Sequence, residues 1–289
     1  LGAMGVVGLT APESAGGLGM DEVDLVLLLE ESGRAASPEP LAEHTAVVMP
    51  TLADVAPEHH LLGAAATGEC TLSVGLSHSP YVSAAHQSDA LLLQHETELH
   101  LVEIDGYRSE PVTSVDESRR LARVSWTPGA GTLLTDDPDH VARAFDRGAL
   151  AAAAQCLGVA QQLLDLTVEY VQDRKQFGKP VGVNQAVKHH LANVGLALEF
   201  ARPVTYQAAW AVANDRPERS RDVSMAKAMA SDAVDVACRQ ALQCHGAIGY
   251  TVEYDLQLWL KRGWALAADW GDAAWHRRQV ADVVLGPIA

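Results

Sequence analysis

The strongest constraint on the fold is the helical periodicity that runs from Pro138 almost to the end of the chain. Short breaks divide it into five predicted helices, at 138–174, 184–214, 219–245, 253–268 and 272–284. Long helices joined by short loops pack antiparallel, because each loop reverses the direction of the chain. The C-terminal half is therefore predicted to be a helical bundle, and its alanine-rich stretch at 149–154 favours close helix packing.

The N-terminal region is also predicted to be helical. Helices are predicted at 21–34, 41–55 and 58–66, separated by short polar or proline-containing breaks. Asp21 is a candidate N-cap for the first of them, because its carboxylate can accept a hydrogen bond from a free backbone N–H of the first turn.

The middle of the chain has the pattern of a small β domain. Within 68–135, short apolar runs alternate with turn residues, which predicts about six strands. Asp105 and Gly106 form a dipeptide typical of a hairpin turn. The fold class is therefore mainly α with a small β domain, in three parts: a helical region at 1–67, the β domain at 68–135, and the bundle at 136–289.

The acidic composition narrows the classes of function. A formal net charge of −16 argues against nucleic acid as a partner, since phosphate binding needs clustered basic residues. The cysteines are scattered without a CxxC pair, which indicates neither a disulfide framework nor a zinc site. No apolar run of membrane-spanning length and no signal peptide are recognised, which predicts a cytoplasmic protein without membrane contact. The start at Leu1, without an initiator Met, predicts that residues are missing upstream.

The segment 173–178, Asp-Arg-Lys-Gln-Phe-Gly, ends the first bundle helix. The Gly-Lys-Pro run that closes it predicts a tight joint before the next helix. An exposed Arg174 with Phe177 at such a joint could clamp a phosphate group. A solvated helix end is the plainer interpretation of the same residues.

A second candidate is the segment 243–250, Gln-Cys-His-Gly-Ala-Ile-Gly-Tyr, in which two glycines follow a helix. Backbone exposed by glycine can approach a planar or anionic ligand closely, although a simple glycine C-cap is the alternative. The adjacent His189 and His190 point to different sides of a helix, so no metal site is predicted there. Asp269 and Asp272 flank a helix break and are interpreted as caps rather than as a catalytic pair.

Together, the two segments resemble motifs of the acyl-CoA dehydrogenase family, and the resemblance covers essentially the whole chain. Residues 173–180 with Gln185 are similar to the family's flavin-phosphate motif, and residues 243–253 are similar to its adenine-side turn. The glycine-rich start at 1–19 looks like the family's N-terminal helical region. The resemblance implies an N-terminal helical region, a middle β-barrel-like module and a C-terminal four-helix bundle.

The resemblance also implies FAD as the cofactor, because members of that family hold FAD across a subunit interface. The residues that would contact its phosphate and adenosine portions lie at the matching motif positions: Arg174, Phe177, Gln185, Gln243, Gly246 and Gly249. An Arg near two phosphates would form charge-assisted hydrogen bonds, and a glycine turn would admit the ligand.

Two departures from the family pattern affect catalysis. The family's catalytic base is a Glu before a Gly on a late loop, and that position holds Trp270, followed by Gly271. A subset of the family carries the Glu on the first bundle helix, and that position holds Gly148. The run that contacts the flavin ring is also absent from 70–86. No catalytic residue is therefore predicted in this chain.

These losses lead to the hypothesis that the chain resembles the smaller, degenerate subunit of an actinobacterial heteromeric (α2β2) acyl-CoA dehydrogenase. The complex would carry out α,β-dehydrogenation of an acyl-CoA, with a steroid side-chain CoA as the substrate class that the resemblance implies. A larger partner subunit would supply the catalytic Glu, the flavin-ring pocket and most of the acyl-CoA site. Two alternatives stay open: a self-sufficient homodimeric enzyme with a relocated base, and a non-catalytic scaffold or binding protein of the same fold.

Overall fold

The computed structural model describes residues 1–286. These residues form two units, each assembled from separate stretches of the chain. The first unit contains Leu1–Leu27, Pro38–Ala151 and Ala209–Ser220, and the second contains Leu28–Ser37, Ala152–Ala208 and the residues from 221 onward. The three-part division by sequence stays a prediction.

The N-terminal region contains three α-helices. They are α1 (Glu22–Arg34), α2 (Met49–Val55) and α3 (His60–Thr67). The Asp21 carboxylate accepts a 2.8 Å hydrogen bond from Val23 N, which confirms the expected cap of α1. The second predicted helix has two parts, because a π-helical segment at Ala42–Val48 precedes α2.

Six strands form the β region. They are β1 (Leu72–Gly75), β2 (Ala90–His95), β3 (Glu98–Glu103), β4 (Tyr107–Pro111), β5 (Ala122–Trp126) and β6 (Leu133–Thr135). One sheet has the order β1-β2-β3-β6, with β1 parallel to β2 and the other pairs antiparallel. The strands β4 and β5 form a separate antiparallel pair. A cluster of buried side chains that includes Leu91, Val102 and Ala122 forms the core.

The predicted hairpin at Asp105 and Gly106 is wrong. These residues lie in a short 3-10 segment between β3 and β4, and those two strands do not pair with each other. The actual two-residue reversal joins β2 to β3 at Glu96 and Thr97, where His95 pairs with Glu98. Glu96 has a φ of 51° there, a conformation that turn rules do not assign to Glu.

The C-terminal region contains five α-helices up to residue 286. They are α4 (Pro138–Asp173), α5 (Gln185–Ala213), α6 (Arg219–His245), α7 (Leu256–Ala268) and α8 (Ala273–Leu285). All five predicted helices are present, and the bounds of α6 are those predicted. Helices α1 and α4 pack closely because residue 158 is a glycine. A Cβ atom on Gly158 of α4 would stand 1.8 Å from the Glu30 carbonyl oxygen of α1.

Helix α4 corrects one expectation from the sequence. By length and composition it is apolar enough to cross a membrane, although no run of that kind was recognised. However, 72% of its most apolar window is buried within the fold. The alanine-rich stretch at 149–154 is buried throughout, which is the packing role predicted for it.

Candidate functional site

A two-stranded hairpin stands between α4 and α5. Its strands are β7 (Lys175–Gln176) and β8 (Lys179–Pro180). The two residues between them, Phe177 and Gly178, have φ values of 52° and 79°, the positive pair of a type I′ turn. The helix was predicted to end at residue 174, one residue beyond its actual end at Asp173, whereas the hairpin was not predicted. We call residues 174–180 the 174–180 hairpin.

Two side chains of this hairpin, one at its base and one at its tip, are exposed to solvent. Phe177 is 100% exposed. The Arg174 side chain is exposed and makes no hydrogen bond or ion pair with the part of the chain that the structure describes. Type I′ turns favour Asn-Gly, so an aromatic side chain at the first turn position gains nothing locally. Both side chains are therefore available to a molecule outside the described chain.

The second predicted segment follows α6 as a 3-10 turn at Gly246–Tyr250. Gly246 has a φ of 63°, and a Cβ atom there would meet nothing within 4 Å. Gly249 is buried, and a Cβ atom there would stand 3.1 Å from both the His245 Cβ and the Leu242 Cδ1. The two glycines therefore differ: Gly246 leaves open space for a ligand, whereas Gly249 allows the turn to pack against its own helix.

An aromatic contact brings the two segments together. The ring of Tyr170, in the last turn of α4, stacks on the ring of His245 with centroids 4.3 Å apart. The Arg174 N–H donates to the Tyr170 carbonyl oxygen at 2.9 Å, so Arg174 lies one helical turn from this contact. The exposed side chains of Gln185 and Gln243 have no hydrogen-bond partner among the described residues.

The surroundings of His245 could not be predicted from the sequence. Its Nδ1 donates a 2.8 Å hydrogen bond to the Ala241 carbonyl oxygen, which leaves Nε2 as an acceptor. Nε2 is buried without a partner among the described residues. Burial lowers the pKa of His245 below its usual value, so the ring is neutral at pH 7. Tyr254 lies beside it, 5.2 Å between centroids, and only the tertiary fold brings these rings together.

The turn at 269–272 directs its tryptophan into the protein and is held by internal hydrogen bonds. Trp270 is 4% exposed and has a φ of 53°, an unusual conformation for a bulky residue. His276 Nε2 donates a 2.8 Å hydrogen bond to the Trp270 carbonyl oxygen. The Asp272 carboxylate accepts a 2.7 Å hydrogen bond from Trp275 N, which confirms Asp272 as a helix cap.

A fully buried lysine holds the same turn. Lys227 Nζ donates to the carbonyl oxygens of Ala267 at 3.1 Å and Gly271 at 3.0 Å, and to Ser231 Oγ at 2.8 Å. Its charge lies at the C-terminus of α7, where the helix dipole favours a cation. Burial lowers the pKa of the neighbouring His276 to about 4, which keeps that ring neutral. The turn therefore has buried donors on both of its central carbonyl groups.

The alternative position of the family's catalytic base, residue 148, also has no side chain that could accept a proton. Gly148 is buried within α4. The closest carboxyl along the helix is that of Asp146, and burial raises its pKa to about 6. Ser220 Oγ donates a 2.7 Å hydrogen bond to this carboxylate, and Arg219 lies 3.4 Å away. No cluster of metal-ligating side chains occurs in residues 1–286.

Comparisons with known proteins agree with this architecture. A family model described as "Acyl-CoA dehydrogenase, C-terminal domain" matches residues 139–285, and one for the N-terminal domain matches residues 1–68. The acyl-CoA dehydrogenase IpdE2 of Mycolicibacterium smegmatis is 33% identical over 262 residues, which cover 90% of this chain and 78% of that protein.

Two solved structures have the same fold. The ChsE4-ChsE5 complex from Mycobacterium tuberculosis matches with a TM-score of 0.91 at 22% identity, over 100% of this chain and 87% of that chain. A Tcur3481-Tcur3483 steroid ACAD matches with a TM-score of 0.86 at 25% identity, over 99% and 87%. The predicted fold class is therefore confirmed.

Proposed function

Because this chain belongs to the acyl-CoA dehydrogenase family, whose cofactor is FAD, we propose that it is the subunit of a heteromeric acyl-CoA dehydrogenase that lacks the catalytic base. In this proposal a larger partner chain carries the catalytic Glu, and this chain supplies contacts to the partner's FAD. The complex removes two hydrogens from the α- and β-carbons of an acyl-CoA.

The buried Trp270 is the observation that carries the proposal. An indole has an N–H donor and no basic site, so it takes no proton from a substrate α-carbon. Its carbonyl group and that of Gly271 are held by His276 and Lys227, which keeps the side chain directed inward. Gly148, at the alternative position, has no side chain to offer. A general base must therefore come from another chain or from a different part of this one.

The exposed motif residues fit the phosphate and adenosine portions of FAD. Arg174 would supply charge-assisted hydrogen bonds to the diphosphate, and Phe177 an apolar face. The amide groups of Gln185 and Gln243 have no hydrogen-bond partner among residues 1–286, and the open space at Gly246 permits close backbone approach. Gly249 would act indirectly, by letting the 246–250 turn pack. When bound, FAD accepts the hydride from the β-carbon.

The relatives support a heteromeric enzyme and a large substrate. One protein of similar structure is described as the ChsE4-ChsE5 complex, and another is described as a steroid ACAD. We therefore propose a steroid side-chain CoA as the substrate class and an α2β2 heterotetramer as the assembly. The acyl-CoA would be bound mainly by the partner, since this chain has no proton acceptor at either base position.

Co-expression tests this proposal. The chain is produced alone, and together with a longer acyl-CoA dehydrogenase chain that carries a Glu at the late-loop position. The proposal predicts a colourless, inactive chain alone, and a yellow complex that reduces an electron-acceptor dye with a steroid side-chain CoA.

Two other outcomes would replace the proposal. If the chain alone is yellow and turns over acyl-CoA, it is a self-sufficient enzyme with a relocated base. If no dehydrogenase chain restores flavin, the scaffold alternative replaces it. A Glu-to-Gln change in the partner's late loop provides the control: the complex should stay yellow and lose turnover.

A further inference from the structure

The lysines of this chain are concentrated in one place. Three of its five lysines, Lys175, Lys179 and Lys188, lie on the 174–180 hairpin and in the first turn of α5, and all three are exposed. Of the other two, Lys227 is fully buried and Lys261 is half-buried on α7. The lysines available to solvent are therefore grouped beside the exposed Phe177.

These lysines also lack internal partners, unlike many arginines of the chain. Arg147 and Arg202, for example, form ion pairs of 2.8 Å and 3.1 Å with carboxylates. By contrast, none of the three lysines forms an ion pair or side-chain hydrogen bond with the residues that the structure describes. Residues 173–188 hold four cations and one acid, a local charge of +3 in a chain with a net charge of −16.

The hairpin distributes this charge over both of its faces. Lys175 pairs across the strands with Pro180, and Gln176 pairs with Lys179. Paired residues share a face and successive residues alternate, so Lys175 and Lys179 lie on opposite faces. A hairpin that carries a cation on each face and an aromatic at its tip fits a concave surface around it better than a flat one.

Lys188 extends the cationic surface onto α5. Its backbone N–H donates to the Asn184 carbonyl oxygen at 3.2 Å, which places it in the first turn of the helix. A cation is disfavoured there by the helix dipole, and no carboxylate of the described chain offsets the cost. Local stability therefore does not account for this lysine, whereas attraction of an external anion does.

We infer that Lys175, Lys179 and Lys188 form a steering surface that directs the 174–180 hairpin toward the FAD diphosphate held by the partner dehydrogenase chain, because the negative charge of the diphosphate attracts the three lysines. This inference rests on the proposed function. The three lysines act on the rate of encounter, while Arg174 and Phe177 make the final contacts. Exposed lysine is a hydrated, mobile point charge, and such charges raise association rates more than they slow dissociation.

The charges of the chain favour this occupant over the other classes. A surface with three lysines on a chain of net charge −16 is too small for a nucleic acid. A localised positive surface on an acidic chain does, however, orient that chain toward an anionic site as the two proteins approach. At about 10 mM salt such charges act over roughly 30 Å, and at physiological salt over about 8 Å, so the effect should be strongly salt-dependent.

Association kinetics with the purified partner chain, measured by stopped-flow at several salt concentrations, test the inference. The charge-removal variant is Lys175→Gln/Lys179→Gln/Lys188→Gln. We expect its association rate constant to fall about tenfold at low salt and to lose most of its salt dependence. The dissociation rate constant should change by less than about twofold.

A matched variant, Arg108→Gln/Lys261→Gln/Arg278→Gln, controls for net charge. It also removes three positive charges that have no ion pair in the described chain. We expect it to associate within about twofold of the wild type at every salt concentration. Equal slowing of both variants would assign the effect to net charge and overturn the steering surface.

The remaining outcomes separate this inference from the proposed function. An unchanged association rate in a complex that forms, binds FAD and turns over would overturn the steering surface alone. A change confined to dissociation would also overturn it, because the lysines would then be contacts. Failure of the wild-type chain to bind the partner would overturn both. Salt-sensitive self-association that the lysine variant abolishes would assign the surface to a second copy instead.

Discussion

The 174–180 hairpin and the 269–272 turn both lie between helices, but they use their side chains in opposite ways. The hairpin presents Phe177 and Arg174 to solvent, and neither forms a polar contact within the described chain. The turn directs Trp270 inward and is held by Lys227 and His276. An exposed set without internal partners indicates an external ligand, and a buried, fully bonded set indicates a structural role.

The largest effect should come from the lysine that holds the closed turn. Lys227→Met keeps most of the buried volume but leaves the Ala267 and Gly271 carbonyl oxygens without this donor. We expect the free energy of unfolding to fall by about 3 kcal/mol, measured by denaturant titration. Lys261→Met, at a half-buried position of α7, is the control and should change the free energy of unfolding by less than about 0.5 kcal/mol. Equal free energies of unfolding for the two variants would show that the hydrogen bonds of Lys227 do not stabilise the 269–272 turn.

A pH titration should show an effect of similar size at most. The folded-state pKa of His276 is about 4 against 6.5 in the unfolded chain, so the unfolded state binds a proton first as the pH falls. The stability from the neutral ring is therefore present above pH 6.5 and is lost between about 6.5 and 4.

The variant His276→Gln isolates this contribution, because His44 and Asp146 titrate in both proteins. We expect the wild-type free energy of unfolding to fall by up to about 3 kcal/mol more than that of the variant over this range. If the free energy of unfolding falls equally with pH in the wild type and in the variant, His276 is not a buried neutral donor to the turn.

The two glycines of the 246–250 turn allow a finer comparison. Gly249→Ala places a methyl group 3.1 Å from two side-chain atoms, and we expect it to lower the free energy of unfolding by about 2 kcal/mol. Gly246→Ala meets no atom within 4 Å, and only its positive φ costs about 1 kcal/mol. In the complex, flavin affinity should fall more for Gly246→Ala. The reverse order in flavin affinity would contradict the division of roles.

The smallest effect on stability is expected at the tip of the hairpin. Phe177→Asn creates the Asn-Gly pair that type I′ turns prefer and removes only the exposed ring. The free energy of unfolding should change by less than about 0.5 kcal/mol, while the dissociation constant of the partner complex rises at least tenfold, by roughly the energy of a buried aromatic anchor. Unchanged binding would mean that the exposed ring serves no interface.

The sequence predicts the helices well because their signals are local. Helix α6 has its predicted bounds, and Asp21 and Asp272 cap the helices that follow them. The β region was harder, since Asp105-Gly106 has a turn signal while the actual reversal uses Glu96, which has none. Strand pairing is decided by the core, which a local pattern does not contain.

The candidate site was predictable only where a motif is continuous in the chain. Arg174, Phe177 and Gly246 were found in this way, and the structure leaves them accessible. The partners of Lys227 and His245 come from α7 and α4, far along the chain, so no spacing rule identifies them. Burial of a charge or an imidazole becomes visible only when the tertiary contacts are known.

The flavin affinity of an Arg174→Ala complex shows whether this chain holds a cofactor that its partner uses. We expect at least tenfold weaker FAD binding in the complex, from loss of a charge-assisted hydrogen bond, with unfolding of the isolated chain unchanged. The control is Arg108→Ala, at an exposed arginine of β4 that forms no ion pair with the described part of the chain, and its complex should bind FAD as the wild type does. Wild-type flavin affinity in the Arg174→Ala complex would show that Arg174 does not hold the partner's cofactor.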